Sequence, residues 1–447
     1  MTPPDQFRYD GYTVDRAAGR VRCTYSTATH TFTEEFGFAP SGSADGAAWD
    51  DPATEATVRL LFLLAGVSYY KTSAAAVVDL GDHATTPDER AFLKTFLVEG
   101  LGEFAYRNGL DLRGISLSGP DAAPTGPVPY EPRPGRPLIP FGGGIDSIVT
   151  VDAVALAHPE AALCIVHPPG NRFAAIENAA AATGLPVTRV TREIDPQVRR
   201  SAELGFLNGH VPVTAIVTAA AVVAAVLERR DAVVLSNERS ASVPTLMEGG
   251  AAVNHQWSKG DEFERAFAAL VRDTLGPALS VFSYLRPRSE LWVAQQFAAL
   301  PAFHGVFRSC NRAFVQDPAQ RLDHWCGECD KCCFIDLVLA PFMDPAHLAS
   351  VFGGDEPLTE PANEDRFRTL LGLGPEPRPF ECVGDVDECR AALLLAADRP
   401  DRRDAELLQR LRTALTDRVD PTVLLAPRGP HLIPDRYAPA DLLVSAR

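Results

Sequence analysis

The stretch Leu138-Ile139-Pro140-Phe141-Gly142-Gly143-Gly144-Ile145-Asp146-Ser147 sets the fold class. Its apolar start reads as a short strand over 138–141, and Asp146 to Leu156 reads as the helix that follows. Three glycines make the turn between them. They let backbone N–H groups approach phosphates with no Cβ in the way. The helix start adds unpaired donors and a favourable dipole. Ser147 supplies a hydroxyl donor. Asp146 would repel phosphate unless it holds a cation or orients the loop, so its presence suggests Mg²⁺. The loop lacks the Lys of a Walker loop and the Gly-x-Gly-x-x-Gly of a dinucleotide fingerprint. By composition alone, a structural glycine turn accounts for the same residues.

Downstream of that turn, strands and helices alternate. Ala161–His167, Pro186–Val190, Asp231–Leu235 and Ser280–Tyr284 read as strands. Ala174–Thr183, Val211–Arg229, Phe263–Leu275 and Glu290–Leu300 read as helices. The alternation predicts an α/β fold, a mainly parallel sheet with helices on both faces. Ligands of such sheets bind beyond the carboxyl ends of the strands, where 142–147 and 236–240 fall. Upstream, eight prolines between Pro120 and Pro140 mark 120–137 as a linker, because proline removes a donor and fixes φ. The linker separates a mixed α+β N-terminal domain (1–119) from the nucleotide-binding domain (138–305). The first has hairpins in Tyr9–Thr33, helices at Ala53–Ala65 and Glu89–Tyr106, and a Tyr69-Tyr70-Lys71 group that reads as either structural or substrate-binding. A zinc-binding and helical region (306–425) follows, helix-prone over Ala391–Leu415 with an interruption at 400–404. An irregular tail (426–447) ends the chain.

A chain of 447 residues, 46% hydrophobic, holds two or three domains. Its formal net charge of -16 argues against a phosphate-backbone footprint, so nucleic acid is a poor partner. A small anionic substrate needs only a few local Arg or Lys. The most apolar run, Val211 to Leu227, contains Pro212, Thr214 and Thr218 and closes on Glu228-Arg229-Arg230. It reads as a buried helix rather than a membrane span. Met1-Thr2-Pro3-Pro4-Asp5 lacks the features of a signal peptide, so the expected location is cytoplasmic.

Five of the nine cysteines lie between Cys310 and Cys333. Cys326-x-x-Cys329-x-x-Cys332 presents three thiols at close spacing and Cys310 can supply a fourth, a set that suits a structural Zn²⁺. Cys332 keeps the x-x spacing and is preferred to its neighbour Cys333. An iron–sulfur cluster is the alternative. Cys382 and Cys389 read as ordinary thiols.

Polar runs at Asn208–Thr214, Ser236–Ser240 and Asn254–Gly260 fall where strand ends expose ligands. Arg239 and Lys259 can neutralise a carboxylate or diphosphate. Ser236, Asn237, Ser240, Ser258 and Arg286 are further substrate-binding candidates. His255 is the first candidate for proton transfer, with His210 and Glu238 as alternatives.

Gly142 to Ser147 resembles the Ser-Gly-Gly-x-Asp-Ser loop of the PP-loop ATP pyrophosphatases, with Gly142 in place of the first Ser. That resemblance implies an adenine nucleotide alpha hydrolase-like sheet, ATP cleaved to AMP and pyrophosphate, and adenylation of a substrate oxygen. The cysteine layout is similar to the zinc site of the PP-loop enzyme that makes the nitrile precursor of queuosine. Phe141–Ser147, Gly209–Thr214, Ser236–Ser240 and the Cys310–Cys332 cluster together resemble the UDP-N-acetylmuramoyl-L-alanyl-L-glutamate epimerase family of peptidoglycan synthesis. Tyr69-Tyr70-Lys71 and Phe380-Glu381-Cys382-Val383-Gly384 also look like that family. It implies ATP-dependent inversion of the terminal glutamate, with UDP-N-acetylmuramoyl-L-alanyl-L-glutamate as the substrate and Mg²⁺ as a cofactor. The alternatives are a PP-loop ligase forming an amide, nitrile or thiolated product, and a nucleotide-binding regulator without turnover.

Overall fold

The computed structural model describes residues 5–38, 46–315, 317–375, 377–416 and 419–444. The quoted Met1-Thr2-Pro3-Pro4 start and the last three residues of the expected tail lie outside them. The strands in chain order are β1 (Gln6–Asp15), β2 (Arg20–Ser26), β3 (Thr31–Phe38), β4 (Val77–Asp79), β5 (Ser116–Ser118) and β6 (Arg133–Pro140). They continue with β7 (Ala162–His167), β8 (Val187–Glu193), β9 (Arg230–Leu235), β10 (Leu246–Glu248), β11 (Ala251–Val253) and β12 (Ser280–Ser283). Strands β10 and β11 form a separate hairpin. The other ten make one sheet in the order β12-β9-β6-β7-β8-β3-β2-β1-β4-β5.

The five strands from β12 to β8 run parallel. From β6 the chain steps outward to β7 and β8, then returns to β9 and β12 on the other side. The connections after β6 and β9 therefore leave in opposite directions, and a crevice opens at their carboxyl ends. Side chains alternate between two cores, as a sheet buried on both faces requires. Leu138, Cys164, Val233 and Leu235 enter one, and Ile139, Leu163, Ile165, Ala232 and Val234 the other. Val213–Leu227, the apolar run of the sequence, is a buried helix of the first core. No helix among the described residues is long and apolar enough to cross a membrane.

The sheet does not stop at the proline-rich stretch. Strand β3 pairs antiparallel with β8, Glu35 opposite Glu193 and Phe38 opposite Val190. Strands β1–β3 alternate, with Phe7, Tyr9, Val21, Tyr25, Phe32 and Phe36 all in the first core, so residues from 1–119 and 138–305 share one sheet and one core. Arg192 and Glu34 seal the seam as a buried pair at 2.5 Å, and Arg192 also donates to Ser68 Oγ at 3.0 Å. Within 120–137 the chain is anchored, since Tyr130 donates its buried hydroxyl to the carbonyl of Arg230 at 2.7 Å.

Most elements fall where the sequence places them. The expected helix Glu89–Tyr106 is two, Pro87–Glu99 and Gly102–Asn108, because the first ends at Gly100. The interrupted C-terminal helix is Val386–Ala397 and Glu406–Ala414. The tail carries the short helix Ala440–Val444. It docks through Tyr437, whose hydroxyl donates to Asp231 at 2.9 Å.

Candidate active site

The glycine turn lies at the mouth of the crevice because β6 ends there. Phe141 N–H still bonds the Cys164 carbonyl at 2.9 Å, and after the three glycines the helix Ile145–Ala157 begins. Gly144 is its N-cap and offers no side chain to the first turn, so the leading N–H groups stay available to an anion. Gly143 has φ +75°, and a Cβ there would sit 2.9 Å from the Ala175 carbonyl oxygen. Around Gly142 there is nothing within 4 Å of the equivalent position. Ser147 turns back and donates to the Gly144 carbonyl at 3.0 Å, bracing the loop.

The crevice holds a cavity of about 420 Å³, within the range of ligand pockets. Gly142, Gly144, Asp146 and Ser147 line it together with Ser236, Asn237 and Lys259. Arg239, Ser240, Ser258 and Arg286 are not among its lining residues. Arg286 is buried against Glu264 at 2.7 Å. It also donates to the carbonyls of Lys259 at 2.6 Å and Glu238 at 2.8 Å, and so holds two site segments from behind. Glu238 is buried, and burial raises its carboxyl, Lys259 opposes that, and Asp146 adds to it.

The cavity's other wall comes from Arg308, Ser309, Asn311 and Lys331, which sequence reasoning did not select, and from Glu381 and Cys382, which it noted within the Phe380–Gly384 run. Lys259 Nζ lies 3.3 Å from Cys382 Sγ, and the His255 ring is the thiol's other polar neighbour. Burial pushes this thiol up, but the ammonium of Lys259, the His255 ring and Lys331 overcome it and bring it down to about 7. Cys389 behaves as an ordinary core thiol, pushed up by burial. Only the Phe380–Gly384 run marked Cys382 in the sequence.

His255 sits just beyond the β10–β11 hairpin. Its Nδ1 pairs with Glu103 at 2.5 Å, and Arg107 Nε donates to the same carboxylate at 2.6 Å. Burial favours the neutral ring, yet hydrogen bonds to Cys382 and Glu103 raise His255 to about 9. His210 lies against it with ring centroids 4.2 Å apart, and burial and the His255 charge push it down to about 4. The ligand atoms of Glu103, His210 and His255 lie within 4.8 Å of one another. Arg107 and the His255 ring already share the Glu103 charge. Lys71 positions the His210 segment, donating to Asn208 Oδ1 at 2.7 Å and the Gly209 carbonyl at 3.1 Å. Tyr70 is structural and donates to the Ala75 carbonyl at 3.1 Å.

Cys310, Cys326, Cys329 and Cys332 converge, their sulfurs all within 4.8 Å of one another. Cys326 and Cys332 are 3.7 Å apart, and Cys329 and Cys332 3.4 Å. A tetrahedron with 2.3 Å zinc–sulfur bonds has edges of about 3.8 Å, so the set fits zinc. Cys333 is buried and its thiol is pushed up by burial, outside the cluster. The cluster also shapes the cavity, because Asn311 follows Cys310 and Lys331 precedes Cys332. Asn311 donates to Glu381 Oε1 at 2.9 Å, and Lys331 donates to the Cys382 carbonyl.

Fold and site define an α/β protein with a ligand-sized cavity at the crossover of a mostly parallel sheet and a four-cysteine cluster that could bind zinc beside it. The chain belongs to the MurL family: the model of the MurL N-terminal domain matches residues 1–284 and that of the MurL C-terminal domain residues 306–424. Three relatives carry the name UDP-N-acetyl-alpha-D-muramoyl-L-alanyl-L-glutamate epimerase. That of Salinispora tropica is 40% identical over 86% of this chain and 83% of its own. That of Xanthomonas oryzae pv. oryzae is 36% identical over 86% and 84%, and that of a Micromonospora species 37% over 98% and 97%. No solved structure matches the chain significantly.

Proposed function

We propose that the protein is an ATP-dependent epimerase that inverts the terminal L-glutamate of UDP-N-acetylmuramoyl-L-alanyl-L-glutamate to D-glutamate for cytoplasmic peptidoglycan synthesis. The observation that carries the reading is one cavity lined by an uncapped helix start on a glycine turn, Asp146, Lys259 and Cys382. The names of the relatives give the substrate. The resemblance of 142–147 to a PP-loop supports ATP as the second substrate and a PP-loop fold for the parallel half.

The α-hydrogen beside a carboxylate is very weakly acidic, because its loss adds a second negative charge. In the proposed reaction a carboxylate oxygen attacks the α-phosphorus of ATP and pyrophosphate leaves. The acyl adenylate can take up the electron pair of the Cα–H bond. Reprotonation on the other face inverts the centre, and hydrolysis releases the D-glutamyl product and AMP. Backbone N–H groups of 142–147 would bind the phosphates, and Lys259 and Lys331 would offset their charge. Asp146 is the residue to hold Mg²⁺, which when bound neutralises phosphate charge. The four cysteines would hold a structural zinc that fixes Asn311 and Lys331.

Incubation with ATP, Mg²⁺ and the UDP-muramoyl dipeptide tests the reading. D-glutamate, AMP and pyrophosphate should form together. A nitrile, amide or thiolated product with L-glutamate retained would favour a ligase, and ATP binding without AMP a regulator.

A further inference from the structure

We infer that Cys382 is the base that removes the glutamyl α-proton, with His255 and Glu103 as positioning residues behind it and Lys259 as its fixed counter-charge. The inference rests on the epimerase reading and names the group that touches Cα in it.

Three observations carry it. Cys382 lines the same cavity as the glycine turn and Asp146, whereas His255, His210 and Glu238 are not among the lining residues. The groups facing its sulfur are Lys259 at 3.3 Å, the His255 ring and Lys331, with Glu103, His210 and Glu381 beyond them. Cations gathered on a thiol in this way favour its ionised, proton-accepting form. The Cys382–His255–Glu103 order repeats the logic of a reactive group, an imidazole and an orienting carboxylate. Independently, the Ser236 hydroxyl on the same cavity is buried and has no hydrogen-bond partner among the described residues, the mark of a wall awaiting a polar ligand. His255 itself is poorly suited as the base, because Glu103 and Cys382 keep it protonated at neutral pH.

In the step, the Cα–H bond breaks and an S–H bond forms at Cys382. The electron pair of the C–H bond moves onto the activated acyl oxygen. A proton from solvent reaches the opposite face of Cα, and Cys382 returns its proton to solvent, so no other reactant is consumed.

The test uses the full-length, metal-containing protein in D₂O. In Cys382→Ala, inversion and deuterium entry at Cα should fall about 10³-fold, while substrate-dependent exchange of labelled pyrophosphate into ATP persists. Inversion that survives in Cys382→Ala would overturn the assignment, and so would joint loss of inversion and exchange, which would make Cys382 a structural prop. Absence of pyrophosphate exchange in the wild type would instead sink the adenylating reading. Iodoacetamide labelling of the wild type, located by peptide mass, adds a readout that a structural role would not move. Cys382 should react several-fold faster at pH 7 than in Lys259→Met, and equal rates would count against the inference.

Discussion

Gly143 combines φ +75° with a Cβ position 2.9 Å from the Ala175 carbonyl. Gly143→Ala therefore adds about 1–2 kcal/mol of backbone strain and displaces the neighbouring helix start. AMP formation should fall sharply with only a small loss of Tm. Gly142→Ser faces open space and should fold normally, and its hydroxyl should lower the KM for ATP. Asp146→Asn should lower AMP formation about 10²-fold while leaving Tm near that of the wild type. Cys382 and His255 set a pH window: α-proton exchange should rise through about pH 7 as the thiol ionises and fall through about 9 as the imidazolium is lost. The stability signs agree. His255 titrates above its free value of about 6.5, so its contribution is complete below that and lost as pH rises through about 9. Cys382 is depressed from about 8.5, so its contribution is complete above that and lost as pH falls through about 7. A profile flat from pH 6 to 10 would contradict both assignments. The glycine turn was legible in the sequence because its chemistry is local. Cys382 was not, because its character comes from Lys259, 123 positions away, and from His255.

At the scale of elements, the cysteine cluster and the cavity wall are one unit. Cys329 caps the helix Asp330–Leu339, Cys332 sits in its first turn, and Lys331 between them reaches the Cys382 carbonyl. Removing the metal with a strong chelator should lower Tm and abolish inversion together. Cys326→Ser should lose bound zinc, measured by metal analysis, whereas Cys333→Ala should keep it and lose only stability. Retained inversion in zinc-free protein would separate the cluster from the site. The x-x spacing made Cys326, Cys329 and Cys332 readable as one group. The break at Gly100 was not readable, since apolar residues on both sides continue a helical pattern. Glu103 lies just beyond that break, in the helix Gly102–Asn108, and only the tertiary fold brings it to His255.

The whole molecule depends on the β3–β8 seam. A proline-rich stretch between two patterned regions reads as a linker, yet β3 extends the parallel half into one sheet, and Glu103, also from the first 119 residues, pairs with His255. Such pairing joins residues far apart in sequence and leaves no local periodicity to read. Glu34→Gln removes one partner of a buried ion pair and should cost about 3–5 kcal/mol, seen in denaturant unfolding as one cooperative transition at lower midpoint. Two separate transitions would mean that the halves fold independently. The central claim concerns the reaction inside the cavity that this sheet builds. In D₂O with ATP and the UDP-muramoyl dipeptide, each D-glutamate formed should carry one deuterium at Cα and accompany one AMP. D-glutamate formed without ATP, or without deuterium at Cα, would contradict the account.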